Sequence, residues 1–167
     1  INERKIMFKL ITKTIATVAI VSVALFGSAN AKTLKIETHF TASSPNGEVA
    51  AQFAKNVEMF SGGSLKVEMF YSSSVTGKSA EVFNSAQTGI IDCDMTGAGY
   101  QTGKNAAFQF AGDVMGGYDN PYQQYDFLKF PGAQDAVDAL YNKYGMTLIG
   151  WWIPGHESLI SSKPIPD

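Results

Sequence analysis

Two segments near the start of the chain alternate apolar and polar residues with the period of a half-buried β-strand. They cover residues 33–40 and 65–70. Between them, apolar side chains recur at helical spacing, and Ser44 followed by Pro45 is a typical helix start. The pattern predicts a strand, a helix and a second strand. The predicted buried face of this helix consists of Val49, Phe53, Val57 and Phe60.

The same order of elements is repeated once. A helix that follows Gly77 and ends at Gly89 carries Val82, Phe83 and Ala86 on its buried face, and residues 90–95 read as a short strand. An alternation of strands and helices predicts an α/β layer with a largely parallel sheet flanked by helices. We expect residues 32–150 to form one such lobe, which is incomplete in this chain.

The second half of the chain has a different pattern. Glycines and aromatic residues follow residue 96 and predict a long irregular segment, after which residues 121–130 and 133–144 read as helices. Residues 146–152 read as a strand, Pro154 breaks it, and residues 157–162 resume extended structure. A broken strand suits a chain that passes between lobes, so we expect residues 151–167 to cross into a second lobe.

The first 31 residues have the features of an export signal. Lys9 and Lys13 precede an apolar stretch of about 12 residues, shorter than the roughly 20 that span a bilayer, and the small residues Ala29 to Ala31 follow. Residues 1–6 lie upstream of the first methionine, so we expect them not to belong to the protein. The pattern predicts a signal peptide over residues 7–31 and a mature periplasmic protein that begins at Lys32.

Charge narrows the range of partners. After residue 31 the chain has nine basic and fourteen acidic residues, a net charge of −5, which argues against nucleic acid as a partner. No arginine follows Arg4, although its guanidinium is the side chain best matched to a carboxylate. Either a ligand is held without arginine, or that arginine lies beyond Asp167. The proline-rich last residues favour a chain that continues, so we expect a fragment.

No catalytic or metal-binding set can be assembled from the residue pattern. His39 and His156 have no nearby serine or cysteine that suggests an activated pair. Asp92 and Asp94 alternate onto one face of a strand, where they could share a cation or serve as solvated carboxylates. Ligands of open α/β sheets bind at the carboxyl ends of the strands. The loops expected at that edge are residues 39–47, 72–78 and 96–104.

Four segments resemble one family of binding proteins. Residues 53–67 include the run Gly-Gly-Ser-Leu-Lys-Val, residues 87–92 read Gln-Thr-Gly-Ile-Ile-Asp, residues 96–108 are similar to the segment of members that bind α-keto acids, and residues 150–165 are similar to the family's crossing strand. In this order and spacing, residues 33–167 resemble the periplasmic solute-binding protein of a tripartite ATP-independent periplasmic (TRAP) transporter of the DctP type.

The resemblance implies a periplasmic-binding-protein-like fold with two α/β lobes, of which this chain holds the first. The lobes would close by a hinge motion on a small keto, hydroxy or sugar acid, without chemistry, and deliver it to membrane permease subunits driven by a sodium gradient. No cofactor is implied. A sodium ion bound together with the ligand and a homodimer are left open.

The resemblance also implies ligand contacts. Tyr100 would donate its hydroxyl to the ligand, and His156 stands where keto-acid-binding members commonly have glutamine. Lys163 falls where some sugar-acid-binding members place a second basic group, while His39 and Ser44 would line the first loop. Two alternatives stay open at this stage: an exported enzyme whose catalytic residues lie downstream, and the binding protein of an ATP-driven importer.

Overall fold

The computed structural model describes residues 31–112, 114, 117–153 and 161–164. Three parallel strands, β1 (Lys32–Thr38), β2 (Leu65–Phe70) and β3 (Cys93–Met95), form a sheet in the order β2-β1-β3. The central residue Ile36 lies opposite Met69 on one side and Cys93 on the other. The predicted parallel α/β layer is therefore confirmed.

Helices connect the strands and cover the sheet. Helix α1 (Pro45–Phe60) joins β1 to β2, and α2 (Ser79–Gln87) joins β2 to β3. Right-handed crossovers that run in opposite directions along a sheet place their helices on opposite faces. Two 3₁₀ helices (Ala98–Gln101 and Ala106–Phe110) and the helices α3 (Pro121–Lys129) and α4 (Pro131–Asn142) follow. Among the described residues, no helix is long and apolar enough to cross a membrane.

The buried face of α1 differs from the predicted one. Gly47, Ala50 and Ala54 are its buried residues, whereas Val49 is 51% and Phe60 80% exposed. Small side chains bring the helix close to its surroundings, and a Cβ atom on Gly47 would lie 2.0 Å from the carbonyl oxygen of Thr41. The prediction from apolar spacing was wrong here because close packing selected the small residues of the helix, while Phe53 and Val57 are only half-buried.

The main core cluster contains α2, both 3₁₀ helices and α4. Its buried members are Phe83, Ala98, Phe108, Ala111 and Leu140, with Val137, Tyr141, Tyr144 and Met146 packed against it. The Phe83 and Phe108 rings meet edge to face with centroids 5.8 Å apart. The segment after residue 96, predicted to be irregular, thus contributes two short helices and a core phenylalanine.

Two predicted strands differ in the structure because their hydrogen bonds go elsewhere. β3 begins at Cys93 rather than residue 90, since the N–H groups of Ile90 and Ile91 donate to the carbonyl of Ser85 at the end of α2. Residues 146–153 form no strand: no described strand pairs with them, and the N–H of Leu148 donates to Asp138 Oδ1 of α4 over 3.3 Å. The predicted break at Pro154 and most of the extended segment 157–162 lie outside the described residues.

Candidate functional site

The first loop at the carboxyl edge follows β1 and is held against the start of α1. β1 ends at Thr38, two residues earlier than predicted. The Ser44 hydroxyl caps α1: it donates to the Thr41 carbonyl over 2.8 Å and accepts from the Gly47 N–H over 3.1 Å. The predicted helix start at Ser44 and Pro45 is confirmed. The one hydroxyl proton of Ser44 is used within the loop.

The second loop, residues 71–78, is bonded directly to the first. The N–H of Ser72 donates to the Phe40 carbonyl over 2.9 Å, and that of Ser73 donates to the Thr38 carbonyl over 3.0 Å. Ser72 and Ser73 have φ angles of 56° and 50°, in the left-handed region that costs a residue with a side chain about 1 kcal/mol or more. The two hydrogen bonds join the loops in one edge and hold this unfavourable backbone conformation.

Glu37 lies directly beneath this edge and is fully buried, with 0% of its surface exposed. Its Oε1 atom accepts from the Val75 N–H over 2.7 Å and from the Thr76 N–H over 3.2 Å. Its Oε2 atom is buried and accepts no hydrogen bond from the described residues. The alternating pattern assigned Glu37 to the polar face of a half-buried strand, which was wrong because the last three residues of β1, Ile36 to Thr38, are buried on both faces of the sheet.

Asp94 is the register partner of Glu37 on the neighbouring strand. The Thr96 hydroxyl donates to its Oδ1 atom over 2.6 Å. Burial raises the pKa of Asp94 to about 6; the bonds from Thr96 oppose this shift and the charge of Glu37 adds to it. Asp92 is exposed and accepts the Lys35 N–H, so the two aspartates have different environments. No group of three His, Cys, Asp or Glu side chains suited to a metal occurs within the described part of the chain.

Four aromatic side chains contact one another at the carboxyl edge of the sheet. The Tyr100 ring, on the first 3₁₀ helix, meets the His39 ring at 5.3 Å between centroids, in an edge arrangement. The ring centroids of His39 and Phe40 are 3.9 Å apart, and those of Phe40 and Trp152 are 5.7 Å apart. We call His39, Phe40, Tyr100 and Trp152 the aromatic cluster. Burial lowers the pKa of His39, so its imidazole is neutral at pH 7, and its Nδ1 atom is buried without a partner among the described residues.

The structure brings together some of the predicted ligand residues. His39 and Tyr100 are in contact, and Tyr100 is 47% exposed. Ser44 serves as a helix cap. Lys163 is exposed in a turn closed by the Ser161 hydroxyl, and no hydrogen bond or ion pair among the described residues joins its side chain to the other candidates. His156 lies outside the described residues.

Sequence reasoning did not select four residues of this edge as ligand candidates. Glu37 was not a candidate because its place in the alternation indicated solvent. Phe40 and Trp152 lie more than 100 positions apart, so only the fold shows their contact. Lys78 stands at the N-cap of α2, at the end of the second loop. The carboxyl-edge rule did indicate the right loops, and that signal would have found Lys78 if applied to each residue.

Comparison with known proteins identifies the family. The model of bacterial extracellular solute-binding protein family 7 matches residues 36–167. A TRAP periplasmic solute-binding protein from Rhodobacter sphaeroides, in an apo open structure, is 26% identical with a TM-score of 0.65 over 71% of this chain. Among curated protein sequences, none matches this chain significantly.

Two further structures share the fold at lower identity. A TRAP periplasmic solute-binding protein from Pseudoalteromonas atlantica, with bound sodium and pyruvate, is 19% identical with a TM-score of 0.63, over 70% of this chain and 35% of its own. DctP6 of Bordetella pertussis, a receptor that binds pyroglutamic acid, is 20% identical with a TM-score of 0.59, over 71% of this chain and 38% of its own. The alignment with the Rhodobacter protein covers 37% of that protein. Because the family model matches most of its length, this chain belongs to the bacterial extracellular solute-binding protein family 7.

Proposed function

We propose that this chain is the first lobe of a TRAP transporter solute-binding protein, which captures a small organic acid in a cleft between two lobes and delivers it to membrane permease subunits. The observation that carries the proposal is the contact of His39 and Tyr100 at the carboxyl edge of the sheet, where ligands of open α/β folds bind. Family membership supports a receptor over an exported enzyme, and supports a TRAP system over an ATP-driven importer.

The charge distribution at the edge suits an anion. Helix α1, with 16 residues, begins beside the first loop, and α2 begins at the end of the second. Helix N-termini carry partial positive charge and free N–H groups that favour carboxylates. The exposed Lys78 adds a cation at the start of α2. Glu48 and Glu81, exposed in the first turns of these helices, oppose this attraction. Because residues 5–167 contain no arginine, the helix N–H groups and Lys78 are the features of the edge that favour a carboxylate.

The aromatic cluster suits the body of a short acid. Its rings offer an apolar wall, while the Tyr100 hydroxyl and the neutral His39 imidazole offer single hydrogen bonds that a keto or hydroxyl oxygen accepts. A small α-keto acid has an apolar body and few oxygen atoms, so it fits this wall better than a sugar acid, whose hydroxyl groups each need a polar partner. Pyruvate in the Pseudoalteromonas protein and pyroglutamic acid in the Bordetella protein are acids of this size.

The remaining roles complete the proposal. Residues 7–31 direct export, residues 32–150 form the first lobe in the periplasm, and residues 151–167 cross to the second. His156 and Lys163 come to the ligand when the lobes close. Ser44 shapes the first loop as a cap. The protein performs no catalysis. Binding of a sodium ion together with the ligand and formation of a homodimer stay open.

Ligand-dependent thermal stabilisation tests the function. The complete protein is screened against keto, hydroxy and sugar acids, and we expect short keto acids to raise the melting temperature most because a ligand that binds only the folded state stabilises it. Titration calorimetry then compares wild type with Tyr100→Phe, for which we expect about tenfold weaker binding after loss of one hydrogen bond. Tyr122→Phe is the matched control, since Tyr122 is 80% exposed on α3. A screen in which no acid stabilises the protein contradicts the proposal.

A further inference from the structure

Two carboxyl groups lie side by side on the sheet beneath the candidate site. Glu37 and Asp94 occupy neighbouring parallel strands in register, so their Cα atoms are about 5 Å apart and their side chains project from the same face. Glu37 is fully buried and Asp94 is partly buried. The ion pair found in the described residues joins Lys66 and Glu58, so neither buried carboxyl group is neutralised by a lysine.

The hydrogen bonds of the pair are unequal. Glu37 accepts from two backbone N–H groups at Oε1, while its buried Oε2 atom accepts no hydrogen bond from the described residues. Asp94 accepts one hydroxyl, from Thr96, and its burial and the neighbouring charge of Glu37 both disfavour ionisation. Two carboxyl groups on neighbouring strands in a buried place repel each other when both are charged, unless a cation or a proton compensates one of them.

Within the described part of the chain, the surroundings of Asp94 offer no other compensating group. Tyr141 of α4 lies close enough for the charge of Asp94 to act on it, and burial together with that charge raises the pKa of its phenol to about 12, so it is neutral. Next to its strand, Asp92 is acidic. Burial followed by the charges of Asp92 and Asp94 raises the pKa of the Cys93 thiol, and the charge of Lys32 opposes that shift at Cys93 but does not act on Asp94. The described residues contain no third ligand that completes a metal site. A proton on Asp94 is the simplest compensation.

We propose that Glu37 and Asp94 share one proton, so that the pair carries a single negative charge when the cleft binds an anion. The pair acts as a positioning device: Glu37 holds the second loop through Val75 and Thr76, and Asp94 holds the start of the third loop through Thr96. Loss of the proton puts a second negative charge under the edge that attracts a carboxylate. Affinity for an anion is then expected to fall as the pH rises past about 6; this last step rests on the proposed function.

Stability as a function of pH tests the shared proton without any ligand. The pKa of Asp94 in the folded protein lies above its ordinary value of 3.8. The folded state therefore binds this proton more tightly than the unfolded state, and the free energy of unfolding is highest below about pH 4 and decreases as the pH rises to about 6. Asparagine cannot ionise. For the complete protein, the melting temperature of Asp94→Asn relative to wild type should therefore increase by about 5 °C between pH 4 and pH 7.

Two further variants keep this test decisive. Asp92→Asn changes an exposed neighbour whose amide oxygen still accepts the Lys35 N–H, so its curve should stay parallel to wild type. Glu37→Gln keeps an acceptor for Val75 and Thr76 and removes the second charge, so it should also flatten the loss of stability if Asp94→Asn does not fold. Curves parallel to wild type for each folded variant of the pair overturn the proposal.

Two added measurements separate a proton from a cation and from a failure of the proposed function. Millimolar calcium or sodium that raises the melting temperature of wild type above pH 6, but not that of Asp94→Asn, would show a bound cation and overturn the proposal.

With pyruvate as the probe, calorimetry in buffers of different ionisation enthalpy should show proton uptake near pH 6.5. The affinity for pyruvate should fall by up to about tenfold per pH unit, the limit for one proton. Pyruvate binding without proton uptake overturns the link to the ligand. Absence of binding by any acid contradicts the proposed function, while the stability curves still decide the proton.

Discussion

The two strand-loop-helix units β1–α1 and β2–α2 have similar sequences and different environments. The runs Leu34 to Glu37 and Leu65 to Glu68 show the same alternation, and both strands lead through a serine-containing loop into a helix. Glu37 is fully buried whereas Glu68 is exposed. Ser44 caps α1 with its side chain, whereas Lys78 at the start of α2 makes no side-chain cap. Lys35, the register partner of Glu68 on the central strand, is exposed as well. The place of a strand in the sheet and the position of a residue along the strand, near its covered carboxyl end, therefore decide together what the same pattern becomes.

The largest expected effect is loss of the buried carboxylate. Glu37→Ala removes a fully buried side chain and leaves the part-buried N–H groups of Val75 and Thr76 without their acceptor, so we expect a loss of about 3 kcal/mol in the free energy of unfolding. The equivalent Glu68→Ala on β2 should change it by less than about 0.5 kcal/mol. Urea unfolding of the complete protein measures both. Equal losses would mean that the contrast between the strands has no energetic basis.

A smaller loss is expected where the first loop packs on α1. Gly47→Ala places a Cβ atom 2.0 Å from the Thr41 carbonyl oxygen, and the loop must move; overpacking of this kind costs about 2 kcal/mol. Gly103→Ala is the control, because nothing lies within 4 Å of its Cβ position. Thermal unfolding compares them. Gly47→Ala as stable as the control would show that the loop is not held against the helix.

The smallest expected effect concerns the caps. Ser44→Ala removes the hydroxyl that accepts from Gly47, and we expect a loss of about 1 kcal/mol. Lys78→Ala removes no side-chain cap bond and should change stability by less than about 0.5 kcal/mol. Denaturation midpoints of the two variants sharpen the comparison between the units. A larger loss for Lys78→Ala would reverse the assignment of the better-capped helix.

Local signals in the sequence predicted the framework well. Alternation gave β1 and β2, and the pair of Ser44 and Pro45 gave the start of α1, because caps and strand periods depend on neighbours in the chain. The α/β order then gave the parallel sheet. The interpretation of residues 146–152 as a strand was wrong because a strand depends on a partner strand, which the alternation of one segment does not supply.

The site was predicted in part, for a similar reason. The carboxyl-edge rule placed His39 and Tyr100 in converging loops, and their rings do meet. The burial of Glu37 and the raised pKa of Asp94 depend on the lateral order of strands, which the sequence leaves implicit. The contact of Phe40 with Trp152 joins distant parts of the chain. The features of the site that were not predicted therefore depend on contacts between residues that are distant in the sequence.

The most direct test of the account is a crystal structure of the complete protein with the acid that stabilises it most. We expect the ligand in the cleft at the carboxyl edge of the sheet, with its body within about 4 Å of the Tyr100 and His39 side chains. A ligand bound elsewhere, with both side chains remote from it, would contradict the central claim that the loops after β1 and β3 form the binding site.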